Sequence, residues 1–179
     1  ELTRGNVRTA ALIQRVSLRY AGNWRSILGS GSQWELYILS MCLVTDVELS
    51  PDDAVELDTR AVRARAVPLL REILSDPAPR QRDIPTIMAF AAAVGLSAVA
   101  AEDAGSDRRA VGAELVATAL AVGTNQTCRL LSHDYLRSRT ERLDAGALAQ
   151  AEERIRSLDR DELVAHAADL AGRLAGEVG

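Results

Sequence analysis

Ile84–Ala101 reads IPTIMAFAAAVGLSAVAA, a run without a charged residue in a chain of which 26% is Asp, Glu, Lys or Arg. A helix at a protein surface carries charge on its outer face. A run with none therefore belongs to a helix enclosed by protein on nearly all sides. Its length touches the lower limit for a membrane span, roughly 17–25 residues. It is, however, Ala-rich rather than Leu-rich and has no flanking aromatic anchors, and the next apolar stretch, Ala110–Gly123, carries Glu114. We read it as the buried centre of an all-α globule and expect no membrane association.

Helical spacing continues on both sides, and no period-2 strand pattern interrupts it. Upstream, Val7–Tyr20 aligns Leu12, Ile13, Val16 and Tyr20. Gly29-Ser30-Gly31-Ser32 is a flexible connector, and Trp34, Ile38, Met41 and Thr45 align in the helix that follows. Ser50-Pro51-Asp52-Asp53 is a helix start: Ser caps, Pro fits the first turn, and two acids suit the positive end of the helix. The helix it opens carries Val55, Val62, Ala66, Leu69 and Ile73, and Pro68 is expected to kink or split it. Asp76-Pro77-Ala78-Pro79 stops it, and Asp83 caps the charge-free helix.

Downstream, Asp107–Val122 and Thr124–Arg139 read as helices, the second with Cys128, Leu131 and Tyr135 inward. Asp144 caps a helix bearing Leu148, Ala151, Ile155 and Leu158. Asp159 and Glu162 form a capping box before Leu163, Ala167, Leu170 and Leu174. The expectation is one domain over residues 1–179, with about seven or eight helices around 84–101. The C-terminal hairpin, 144–178, is a candidate oligomerisation arm. A faint internal echo pairs Asp46 with Glu102, Ser50 with Ser106, Ala54 with Ala110 and Val55 with Val111.

Composition narrows the function classes. All 21 basic residues are Arg, which points to a GC-rich bacterial genome, and the net charge of −4 gives no bulk attraction to nucleic acid or anionic lipid. Glu1-Leu2-Thr3-Arg4 leads straight into an amphipathic pattern, so no secretory leader and a cytoplasmic location are expected. Cys42 and Cys128 lie in apolar helical contexts and read as reduced core thiols. Arg60, Arg63, Arg65 and Arg71, like Arg137, Arg139 and Arg142, are interspersed with acids and lack stacking aromatics, so they read as solvated faces rather than a nucleic-acid surface.

The strongest chemical candidate is the acidic turn of Asp46, Glu48, Asp52 and Asp53, with Glu56 beyond it. Hard divalent cations need several converging oxygens. An EF-hand register from Asp46 fails, since Pro51 takes the glycine position and Leu57 the final glutamate position. Asp46-Val47-Glu48-Leu49-Ser50-Pro51-Asp52-Asp53, following an apolar helix, resembles the acidic turn of tellurite-resistance TerB-like helical domains. That resemblance implies divalent metal binding by Asp46 with Asp52 or Asp53. Val47 stands where those domains carry Gly, and the likeness spans this turn alone.

Other constellations fail on chemistry. Asp52-Asp53-Ala54-Val55-Glu56 spells the diphosphate–magnesium pattern of isoprenoid synthases without their second metal motif. His133-Asp134 lacks the upstream His that HD-type phosphohydrolases require, since the chain has only 2 His. Cys128 and His133, read on one helix, fall about 500° apart at roughly 3.6 residues per turn, hence on different faces. Nucleophile elbows, P-loops and dinucleotide fingerprints are missing. The leading expectation is a non-enzymatic helical interaction or regulatory module that self-associates through an Ala/Leu/Val-rich helix face or binds a protein partner. The alternatives are a metal- or small-ligand-binding helical domain using the acidic turn, and a small helical enzyme whose site closes in an oligomer. The bulky residues Trp24, Trp34, Met41, Met88 and Phe90 cluster early and are candidates to line a small apolar cavity.

Overall fold

The charge-free run folds as the sequence demands, and the rest of the chain is arranged around it. A computed structural model describes residues 33–49, 59–75, 83–102, 104–124 and 128–176. The helix expected over Val7–Tyr20, Trp24, the glycine–serine connector, the Ser50–Asp53 helix start and the Asp76–Pro79 stop lie outside the described residues.

Six α-helices and one short 3-10 turn account for the regular structure among these residues, and none of them is a strand. In chain order they are α1 (Gln33–Glu48), α2 (Thr59–Leu74), α3 (Ile84–Ala100), α4 (Ser106–Val122), the 3-10 turn Arg129–Leu131, α5 (His133–Ile155) and α6 (Arg160–Gly176). The architecture is all-α, as expected. No helix among the described residues is long and apolar enough to cross a membrane.

The central helix, α3, is buried from Ile87 to Val99 without interruption. It packs against α1, α2, α4 and α5, while α4 also carries α5 and α6. Small side chains set how closely the middle pair approach. Gly95 and Gly112 face each other at the α3–α4 crossing, and a Cβ built on either would lie within 2.7 Å of the other's carbonyl oxygen. Asp83 starts α3 as expected: its carboxylate accepts from the Thr86 backbone N–H at 3.4 Å and from the Thr86 hydroxyl at 2.6 Å.

The capping box also forms reciprocally. Asp159 N–H donates to Glu162 at 2.8 Å, and Glu162 N–H donates to Asp159 at 2.9 Å. The face of α6 that follows, Leu163, Ala167, Leu170, Ala171 and Leu174, is buried within this chain, against α2 and α4.

Two expectations need correction, and a third is narrowed. Helix α2 runs through Pro68 without splitting. The missing proline N–H removes one bond of the ladder, and Val67, Leu69 and Leu70, all buried, hold the segment in the core on both sides of it. Thr124–Arg139 is not one helix: Ser132 accepts from Tyr135 N–H at 3.4 Å and starts α5 afresh after the 3-10 turn. Conversely, the helices expected before and after Asp144 join as α5. Asp144 is a non-helical residue within it (φ −159°), and its carboxylate caps the continuation by accepting from Ala147 N–H at 2.9 Å.

Candidate functional site

Most large apolar side chains lie in the core, so those left outside identify a candidate site. Among the described residues the exposed large hydrophobics are Trp34, Tyr37 and Leu143, with Trp34 59% exposed. Trp34 does not join an inner stripe with Ile38 and Met41. Leu36, Leu39 and Leu43 form the buried face of α1 instead, which turns Trp34 and Tyr37 toward solvent. The two rings meet edge to face, with centroids 6.5 Å apart and planes at 84°.

They edge a groove of about 370 Å³ between the start of α1, the start of α3 and the 3-10 turn. That volume lies in the range of natural ligand and side-chain pockets, roughly 300–1,000 Å³. Ala89 and Leu131 give its apolar surface, while Ser40, Thr86 and Asp83 supply polar atoms. Gln33 reaches Asp83 at 3.5 Å. Behind the rim, Cys128 Sγ lies 3.6 Å from Met41 Sδ. Burial first, and then a hydrogen bond to Cys128, push the Tyr37 phenol above its ordinary value. Both cysteines are free thiols, Cys42 buried and Cys128 half-buried.

Of the apolar cavity expected from the sequence, only Trp34 lines this groove. Met88 and Phe90 are fully buried core residues, Met41 backs Cys128, and Trp24 lies outside the described residues.

The acidic turn has a different arrangement. Asp46 lies 3.4 Å from Arg63 of α2, whose Nε donates to Ser97 of α3 at 2.7 Å. Glu48 accepts from the Tyr135 hydroxyl at 2.5 Å and lies 2.8 Å from Arg139, both on α5. Arg139 also donates to the Val47 carbonyl at 2.6 Å. The two carboxylates thus tie the end of α1 to different neighbours, each against a guanidinium. Asp52 and Asp53 lie outside the described residues, and among those described no three His, Cys, Asp or Glu side chains gather as metal ligands.

One polar cluster escaped the sequence reading. Glu114, buried in α4, accepts from His166 of α6 at 2.8 Å and from Arg154 of α5 at 2.6 Å. A lone charge in the apolar Ala110–Gly123 stretch was the available signal, because a buried carboxylate requires partners. His133 stands apart on the first turn of α5, 3.9 Å from the exposed Asp134. Since α5 begins at His133 and Cys128 precedes the 3-10 turn, the two were never on one helix, and the single-helix spacing used to separate them does not apply.

The arginines expected on solvated faces are extensively paired. Arg65 lies 2.5 Å from the buried Glu35, and Arg137 bridges Glu141 and Glu152 at 3.0 Å each.

The chain matches no protein-family model, no curated protein and no solved structure.

Proposed function

We propose that this protein is a non-enzymatic helical interaction module that self-associates, and that the groove edged by Trp34 and Tyr37 is its contact surface. The observation that carries this reading is the exposed Trp34 ring standing beside a groove of about 370 Å³ on the same patch. A two-fold contact uses one patch twice, so the patch must be complementary to itself. An exposed ring next to a recess meets that requirement, because each protomer's Trp34 enters its partner's groove. Tryptophan and tyrosine anchor interfaces because each buries roughly 150–250 Å² and keeps a polar tip for a hydrogen bond.

The long aliphatic faces favoured by the sequence are a poorer choice of contact. Those of α3, α4 and α6 are already buried inside the chain. Sedimentation velocity across a wide concentration range tests the reading. The wild-type mass should climb from 19.2 kDa toward twice that value, and Trp34→Ala should remain monomeric. A wild-type chain that stays monomeric at the highest concentration, or a Trp34→Ala chain that associates equally well, contradicts it.

A further inference from the structure

Helix α5 is not straight. In a continuous α-helix Arg137 and Glu152 would stand about 22 Å apart along the axis, beyond the combined reach of their side chains. Yet Arg137 Nη2 donates to a Glu152 carboxylate oxygen at 3.0 Å, and its Nη1 pairs with the other oxygen, a two-pronged contact. The chain therefore turns sharply at Asp144, whose φ of −159° and ψ of 85° interrupt the helix. Residues 133–143 and 145–155 are two limbs of a bent rod, and the Arg137 guanidinium clamps one to the other.

Little in the local sequence opposes a straight helix. Leu143, Ala145, Ala147 and Leu148 are strong helix formers, which leaves only Asp144, suited to a cap, and Gly146 against it. Beyond the bend, residues 145–176 form an arm that buries Leu148 and Ile155 of α5 and Leu163, Leu170 and Leu174 of α6. In the closed chain α6 lies against α2 and α4. Straightening α5 would swing the arm away from its own chain and uncover this apolar face. A second copy in the same state offers the vacated surfaces of α2 and α4, and the arm's contacts are then remade between chains.

We propose that Asp144 is the hinge of a reciprocal exchange, in which two copies straighten α5 and pack residues 145–176 on each other. The C-terminal hairpin then serves as an oligomerisation arm by changing chains, not by presenting a spare face. Because the exchanged contacts repeat those of the closed chain, the hinge and the protein concentration set the balance between the two forms. This route is independent of the Trp34 groove, since it needs neither the ring nor the recess.

The test uses the full chain carrying Trp34→Ala, so that the groove contact is absent. Adding Asp144→Ala and Gly146→Ala removes the cap and favours a continuous helix. A Cβ at position 146 meets only the Asp144 carboxylate, at 3.6 Å, so the closed chain accommodates it. After refolding at high concentration, the dimerisation constant should exceed that of the Trp34→Ala parent by about a hundredfold, as each of two hinges gains roughly tenfold. The milder Gly146→Ala alone keeps the cap and should raise it by about tenfold. The isolated dimer should persist on dilution, because release requires the arm to unpack, and its crystal structure should show one unbroken helix over residues 133–155. Hinge variants that associate no more than the parent overturn the proposal. So does a dimer that dissociates at once on dilution, or one whose α5 is still bent at Asp144.

Discussion

Gly95 and Gly112 meet backbone to backbone where α3 crosses α4: a Cβ on Gly95 would stand 2.6 Å from the Gly112 carbonyl oxygen. No flexible side chain is available to move aside, so the helices themselves must separate. Gly95→Ala and Gly112→Ala should each destabilise the fold by about 1–3 kcal/mol, the usual range for overpacking a core. Gly172→Ala is the control, since a Cβ there meets nothing within 4 Å. It should be neutral or stabilise by up to about 1 kcal/mol, because alanine loses less freedom in a helix. Urea denaturation of the three variants measures this. Equal effects at Gly95 and Gly172 would show that the crossing is not as close as described.

Glu114 joins α4 to both C-terminal helices, and its two partners are unequal. Its own side chain is 9% exposed, against 51% for Arg154. Removing the carboxylate leaves two donors facing a gap, whereas removing Arg154 leaves the His166 contact in place. Glu114→Ala should cost about 1–3 kcal/mol and Arg154→Ala less than about 1 kcal/mol. A Glu114/His166 double-mutant cycle should return a coupling energy above experimental error, and additive single effects would refute the tie.

Alkaline stability isolates Cys42. The chain has no lysine, so the alkaline titration of its unfolded state is left largely to cysteine and tyrosine. Burial, and then the charge of Asp46, push the Cys42 thiol up from 9.0 to about 12. The unfolded chain therefore releases this proton first. Cys42 contributes fully to stability below pH 9 and progressively less as pH rises toward 12. Tyr135 acts in the same direction, raised by burial and by its hydrogen bond to Glu48. Chemical denaturation at several pH values should show a shallower alkaline decline in Cys42→Ala than in the wild type. Parallel declines would contradict the buried thiol.

Asp144 turns an interruption into a helix start. Its carboxylate accepts from Ala147 N–H at 2.9 Å inside α5. Asp144→Ala should lose about 1 kcal/mol, and Asp144→Ser or Asp144→Asn should recover most of it. Thermal melts distinguish these outcomes, and an Asp144→Ala chain as stable as the wild type would rule out the cap.

Local physics explains which parts of this structure were legible in the sequence. Ile84–Ala101 has no charge to place in water, so its burial follows from composition. The Asp83, Asp144 and Asp159–Glu162 caps lie within three residues of the groups they satisfy. Ser132 was missed because apolar spacing continues across Cys128, Leu131 and Tyr135, hiding a new start inside an apparent helix. Trp34 was misplaced because α1 is apolar on several faces, and the Leu36–Leu39–Leu43 stripe wins the core. The groove could not be read at all, since its walls come from three segments far apart in sequence. Glu114 was noticeable as a lone charge, but its partners lie 40 and 52 residues away.

The contact proposed for Trp34 is tested most directly by its own fluorescence. The chain holds 2 tryptophans, so Trp24→Phe leaves Trp34 as the single reporter. Its emission should shift to the blue and resist iodide quenching as protein concentration rises, then return to that of an exposed indole on dilution. Emission that is independent of concentration, while sedimentation reports association, would place the contact elsewhere and contradict the account.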